Sequence, residues 1–231
     1  MKASRRYNGA AQLVDRTKRY TIDEAIELLA KLPKTKFDET VEVAMQLGVD
    51  ARKTDQMVRG TVALPHGTGK AVRVVAVCQG EQARQAQEAG ADYVGYTDIV
   101  EKIQGGWLDF DVMVAAPDTM RDVGKLGKLL GPRGLMPSPK TGTVTADVGR
   151  AVREVKAGKI EFKIDKNANL HMPIGKASFE PAKLKANGLA AFSAVLKAKP
   201  PTARGEYIKS VTISSTMGPG IRLDVKEVGA L

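Results

Sequence analysis

Two styles of hydrophobic patterning divide the chain. Near its start, Val41, Val43, Met45, Leu47 and Val49 alternate with Thr40, Glu42, Ala44, Gln46 and Gly48, the pattern of a strand with one buried and one polar face. Just before it, Ile22, Ala25, Ile26, Leu29 and Leu32 recur at helical spacing; Thr21 and Glu24 make a capping box, and Pro33 ends the helix. Residues 59–64 predict a further short strand. The same style returns late in the chain. Residues 159–164 alternate, with Ile160, Phe162 and Ile164 apolar, and residues 170–174 alternate again after the turn Asp165-Lys166-Asn167-Ala168-Asn169, which predicts a hairpin. Pro181 opens a helix bearing Leu184, Leu189, Phe192, Val195 and Leu196, and residues 207–214 form another alternating strand with Tyr207, Val211 and Ile213 inward.

The middle of the chain is different. Residues 71–77, interrupted only by Arg73, and residues 111–116, after the leading Asp111, read as unalternated apolar runs. Between them lie an Ala-rich helix over 81–89 stopped by Gly90, a short strand over 93–96, and a helix capped by Asp98 with Glu101 that ends at Gly105-Gly106. Strands without alternation, interleaved with helices, predict a small parallel sheet covered on both faces. From Gly124 to Lys140 a helix runs into a loop punctuated by Gly and Pro, and a last helix starts at Asp147 and stops at Gly158. Neither flank can bury its helix and strand faces alone. The expected fold is therefore α/β in two domains: a split antiparallel α+β domain, two helices on a roughly four-stranded sheet, with a Rossmann-like parallel α/β domain inserted into it. The expected boundaries are 1–67 plus 158–231 for the discontinuous domain and 68–157 for the insertion, with the Gly-rich crossings at 65–70 and 157–158 as hinges.

Charge narrows the class of partner. With 36 Lys+Arg against 26 Asp+Glu the net charge is +10, which favours polyanions. A basic arm of Lys2, Arg5, Arg6, Arg16, Lys18 and Arg19 opens the chain; a solvated tail and a nucleic-acid-contacting arm both fit it. No run approaches the roughly eighteen apolar residues of a membrane span, and no apolar segment follows the basic start as a signal peptide requires. Cys78, the one cysteine, sits beside an apolar run and reads as a buried small hydrophobe, consistent with a cytoplasmic protein.

The candidate chemistry points away from catalysis. His66-Gly67-Thr68-Gly69-Lys70 resembles a P-loop, but Leu64 stands where its first Gly belongs, Ala71 where its hydroxyl belongs, and the segment precedes a strand instead of following one. A hinge is the expected reading. His66 and His171 have no clustered carboxylates or cysteines around them in sequence, so neither a metal nor a cofactor is expected. The outward parity of the alternating strands is more informative. It holds Thr40, Glu42, Gln46, Glu161, Lys163, His171, Ser210, Thr212 and Ser214, a face of hydroxyls with a few cations and acceptors. Such a face suits 2′-hydroxyl and phosphate contacts in structured RNA, although any solvated sheet face can share that composition. Beside it, Phe37 stands in the polar segment Lys34-Thr35-Lys36-Phe37-Asp38, and Thr216-Met217-Gly218-Pro219-Gly220 forms a turn whose glycines permit close approach.

Several ungapped stretches carry a family resemblance: Leu47-Gly48-Val49-Asp50-Ala51-Arg52-Lys53, Leu64-Pro65-His66-Gly67-Thr68-Gly69, Leu130-Gly131-Pro132-Arg133-Gly134-Leu135-Met136-Pro137, Ile174-Gly175-Lys176 and Ser215-Thr216-Met217-Gly218. In these, and over essentially its whole length, the chain resembles the bacterial large-subunit ribosomal protein L-one family. The resemblance implies that the split domain holds large-subunit rRNA at the mobile stalk beside the exit site. It also implies help in the release of exit-site tRNA, contact with other ribosome components, and repression of translation through a mimic of the rRNA site in the protein's own operon mRNA. It implies RNA contacts at Lys36, Phe37, Thr40, Glu42, Lys163, Lys166, His171, Ser210, Thr216, Met217 and Gly218, a ribosome-bound cytoplasmic protein, and no enzymatic activity. The competing classes are a nucleotide-binding enzyme built on the inserted parallel sheet and a DNA-binding regulator.

Overall fold

The computed structural model describes residues 4–229. In chain order the elements are α1 (Arg5–Leu13), α2 (Ile22–Lys31), β1 (Thr40–Leu47), β2 (Arg59–Ala63), β3 (Val74–Val77), α3 (Glu81–Glu88), β4 (Tyr93–Gly95), α4 (Thr97–Gln104), β5 (Val112–Ala115), α5 (Met120–Val123), α6 (Gly127–Leu130), α7 (Val148–Lys156), β6 (Lys159–Lys163), β7 (Asn169–Lys176), α8 (Pro181–Lys197), β8 (Ile208–Ser215), β9 (Ile221–Arg222) and α9 (Val225–Gly229). The chain divides into two compact units, one formed by residues 1–69 with 160–231 and the other by residues 70–159.

The discontinuous unit is built on an antiparallel four-stranded sheet of order β7-β1-β8-β9. β1 sits between two strands that lie more than a hundred residues further along the chain, with Val43 opposite both Met172 and Ile213. Alternation aims Val41, Val43, Met45, Leu170, Met172, Ile174, Val211 and Ile213 to one side, where they are buried with Ile22 and Ile26 of α2 and Leu184, Phe192 and Val195 of α8. Burying each such side chain contributes about 1.5–3 kcal/mol. The capping box at the start of α2 is present, with Thr21 Oγ accepting from the Glu24 N–H and the Glu24 carboxylate accepting from the Thr21 N–H.

Four local readings are corrected, and two short elements had no reading. The basic start is not an arm: Arg5–Leu13 is a helix, capped by the Ser4 hydroxyl on the Tyr7 N–H, and it buries Ala10 in the sheet's core; Lys2 lies outside the described residues. The hairpin between residues 159–164 and 170–174 is reduced to a single bridge, Ile164 to Leu170. β6 instead pairs with β2, because the Phe162 ring lies over Gly60, where a Cβ would stand 2.8 Å from it. Asp98 is not the cap of its helix but lies within the first turn of α4, and its carboxylate accepts from the Tyr96 N–H. The helix expected from Gly124 is broken into a 3₁₀ turn at Gly124–Leu126 and the single α-turn of α6. Finally, β9 and α9 are too short to carry a periodic signal.

The second unit holds a parallel sheet of order β4-β3-β5. Val75, Val77, Met113 and Ala115 bury with Ile99 and Ile103 on one face; Val74, Ala76 and Val114 bury with Ala86, Val148 and Val152 on the other. Both faces are thus covered, which explains the unalternated apolar runs. Asp147 caps α7 by accepting from the Arg150 N–H.

Candidate RNA interface

The four-stranded sheet has its helices α2 and α8 on one side, and the opposite parity is half-exposed or exposed. Register places its side chains in rows: Pro173, Glu42 and Ser214; His171, Ala44, Thr212 and Arg222; Asn169, Gln46 and Ser210. From Thr40 to Gln46 this face runs about 20 Å. A register shift at Val41/Glu42 adds a cation to it. Strict alternation would send Lys176 inward with Ile174, but the bulge sets Lys176 opposite Thr40, and its Nζ donates to Thr40 Oγ1 at 3.0 Å. Gly175, at φ 154°, makes the turn possible; a Cβ there would lie 2.9 Å from Leu184 and from Phe179.

At the Thr40 end two loops are locked together. Thr216 Oγ1 accepts from the Thr40 N–H at 3.0 Å, and the Thr216 N–H donates to the Thr40 carbonyl at 3.0 Å. The carboxylate of Glu39, only 4% exposed, accepts from the Met217 N–H at 3.0 Å. Arg6, on α1, donates to the Met217 carbonyl at 2.6 Å and to the Pro33 carbonyl at 3.3 Å. Burial pushes the Glu39 carboxyl up, but hydrogen bonds from Ser215, the Met217 N–H and Thr35, together with the nearby Arg6 charge, outweigh burial and hold it below its ordinary value. Glu39 is therefore a buried anion that ties the turn after β8 to the segment before β1. Gly218 has an internal reason to be glycine: a Cβ there would lie 2.4 Å from Ser215 Oγ. Thr35 Oγ1 donates to the Phe37 carbonyl at 2.7 Å, and Asp38 accepts from the Ser178 N–H and hydroxyl at 3.1 and 2.7 Å. These fixed loops expose two large apolar side chains, Phe37 at 55% and Met217 at 51%.

The residues named from sequence fall into two groups on the four-stranded sheet, with Lys163 apart from both. Lys36, Phe37, Thr40, Glu42, Thr216, Met217 and Gly218 come together at one end of β1. Ser210 and His171 lie toward its other end, with Lys166 in the turn before β7, where Asp165 Oδ1 accepts from the Asn167 and Asn169 N–H groups. Hydrogen bonding from Asn169 leads the causes that hold the Asp165 carboxyl low. Lys163 is on β6, outside the four-stranded sheet, and Glu161 beside it is ion-paired with Arg59 at 3.2 Å. Glu39 was not singled out by sequence; Arg6 was named only within the basic start and Lys176 only within a resemblance stretch, neither as a site residue. The mid-strand Gly175 was the available signal for Lys176; nothing local marks Arg6 or Glu39.

The P-loop-like segment is a structural turn. Fully buried Asn187 accepts from the His66 N–H at 3.0 Å and donates to the Gly67 and Ile174 carbonyls at 2.9 and 2.7 Å. In the second unit, Lys70 pairs with Asp111 at 2.7 Å, and Arg73 pairs with both Asp109 and Asp111. Among the described residues there is no group of three or more His, Cys, Asp or Glu placed to hold a metal ion, and no helix long and apolar enough to cross a membrane.

Fold and geometry together define a two-unit α/β protein whose distinctive feature is a polar sheet face edged by exposed apolar side chains. Residues 28–219 match the model of the ribosomal protein L1p/L10e family. The chain is 59% identical over 224 residues to the large ribosomal subunit protein uL1 of Thermobifida fusca (strain YX), covering 97% of this chain and 95% of that relative. The chain belongs to the ribosomal protein L1p/L10e family, and that membership makes it a structural constituent of the ribosome.

Proposed function

We propose that the outward face of β7-β1-β8, with the Phe37 and Met217 loops, binds large-subunit rRNA and holds the protein on the large subunit in the cytoplasm. The observation that carries this reading is the pair of exposed apolar side chains on loops that Glu39 and Arg6 immobilise beside a hydroxyl- and lysine-bearing sheet. Exposed Phe and Met cost solvation in the free protein, and rigid loops bind without an ordering penalty. Hydroxyls and Lys176 suit ribose and phosphate, while Phe37 and Met217 supply apolar contact. As a ribosomal rRNA-binding protein beside the exit site, it would also assist release of exit-site tRNA and repress translation from its own operon mRNA through the same face. The second unit would add to ribosome contacts without chemistry of its own.

Filter binding to a large-subunit rRNA fragment and to an unrelated duplex RNA, at several salt concentrations, tests the proposal. Met217→Ala and Phe37→Ala should each weaken specific binding by about tenfold or more and leave non-specific binding unchanged. Lys36→Ala should lower the salt slope by about one, as one phosphate contact requires. Equal losses on both RNAs for Met217→Ala and Phe37→Ala would refute the proposed face.

A further inference from the structure

The row His171, Ala44, Thr212, Arg222 does not end at the sheet edge. It leads into a cleft of about 330 Å³ between α1, the segment just after it, and the turn that enters β9. That volume falls at the lower end of the roughly 300–1,000 Å³ of small-molecule sites. Tyr7 presents a half-buried ring, and Arg16 and Arg222 bring two exposed guanidinium groups that form no ion pair among the described residues. The one acid in the lining, Asp15, is already fixed: Oδ1 accepts from the Thr17 N–H at 2.8 Å and the Thr17 hydroxyl at 2.6 Å, while its own N–H donates to Tyr20 Oη at 2.9 Å. Its carboxylate also takes a backbone hydrogen bond from Lys18 and feels that residue's charge, so the acid is held away from the two guanidinium groups' task. Gly220 packs tightly on Thr212 in the lining, since a Cβ there would lie 2.8 Å from Thr212 Cγ2.

We propose that this cleft holds one nucleotide of the RNA strand, splayed from the open sheet face, with its phosphate against Arg16 and Arg222 and its base on the Tyr7 ring. The pairing follows from chemistry: two forked cations match a phosphate, and an aromatic face matches any base. The inference rests on the RNA-binding reading of the neighbouring face and extends it to a site that the strand parities did not reach. Tyr7 and Arg16 belong to the basic start, folded as a helix and the segment after it, so one of its cations, Arg16, acquires a ligand.

The test is an amide NMR titration of the full ¹⁵N-labelled chain with AMP, UMP, adenosine, inorganic phosphate and a ten-nucleotide single-stranded RNA. AMP and UMP should shift the amides of Tyr7, Arg16, Thr212 and Arg222 with saturation, more tightly than adenosine or phosphate alone. The RNA should saturate the same amides at about tenfold lower concentration, because neighbouring phosphates add counterion release. Arg222→Ala and Gly220→Ala should each abolish or weaken these shifts about tenfold while the remaining spectrum confirms the fold. Shifts with phosphate as strong as with AMP, affinity for RNA no better than for AMP, or no shifts at all would each overturn the proposal. The two readings fail separately. If Met217→Ala weakens rRNA retention and Arg222→Ala does not, the cleft falls and the face stands; if Met217→Ala changes nothing, the face falls while the mononucleotide titration still judges the cleft.

Discussion

Replacing Glu39 by Gln keeps the size of the buried side chain and one oxygen but removes its charge. Three consequences follow from the geometry. The 3.0 Å hydrogen bond from the Met217 N–H loses its charge assistance, the Ser215 and Thr35 hydroxyls lose an anionic acceptor, and the Arg6 guanidinium loses its nearby counter-charge. A hydrogen bond to a charged group contributes about 1.5–3 kcal/mol, so a loss of about 2 kcal/mol is expected after the amide recovers part of it. With a urea m value of about 2 kcal/mol/M, the unfolding midpoint of the discontinuous unit falls by about 1 M. NMR intensities of the Val43 and Ile213 amides against urea report that unit, while Trp107, packed on Tyr93 at 4.8 Å and Phe110 at 5.4 Å, reports the other by fluorescence and should not change. The pH dependence has a definite sign. Because the folded carboxyl lies below its ordinary value, its contribution is complete above that value and is lost as pH falls through the folded one. Glu39→Gln should therefore narrow its gap to the parent protein in acid. An unchanged midpoint near neutral pH, or a gap that widens on acidification, would refute the role given to the Glu39 charge.

The other predictions concern the two units separately. Asp111, led by its hydrogen bond from Lys70 and aided by the Arg73 N–H and guanidinium against the cost of burial, has a pKa lowered from 3.8 to about 2. Its contribution of about 1–2 kcal/mol, after solvent screening, is complete above 3.8 and is lost as pH falls toward 2; Asp111→Asn should remove that slope from the acid transition seen by Trp107 fluorescence. Asn187→Leu removes three hydrogen bonds and leaves the buried Ile174 carbonyl without this partner, so urea unfolding of the discontinuous unit should show a loss of about 2–4 kcal/mol; a loss under about 0.5 kcal/mol would show that the clamp is replaced by other bonds.

Much of this architecture was legible because one physical rule dominated each segment. The period of two in β1, β7 and β8 follows from one-sided burial, and the continuous runs of β3 and β5 from burial on both faces. The readings that needed correction are those where a distant contact decides. Whether residues 159–164 join β7 or β2 depends on where the Phe162 ring finds room, and Gly60 supplies it a hundred residues earlier in the chain. Helix α1 buries only Ala10 among its residues, too little to print a periodic stripe. The candidate site was legible at its exposed members, since a Phe in a polar segment and a Met in a Gly-rich turn both stand out. Its supports were not: Arg6 and Glu39 look like ordinary surface charges until the fold brings them to opposite sides of Met217.

The pairing of β2 with β6 bears on how the molecule is assembled in time. Residues 70–159 leave from the end of one strand and return into its partner, so for the polypeptide the whole second unit is a hairpin loop of about 90 residues. As the ribosome delivers the chain from its N-terminal side, β1 emerges long before β7 and β8, and for that interval it is a central strand with two unsatisfied edges. The inserted sheet, whose strands meet over short separations, can close first and draw β2 and β6 together, lowering the entropy of every later pairing. A slow or destabilised insertion would lengthen the exposure of β1 and convert a local folding defect into aggregation of the unit that it does not belong to.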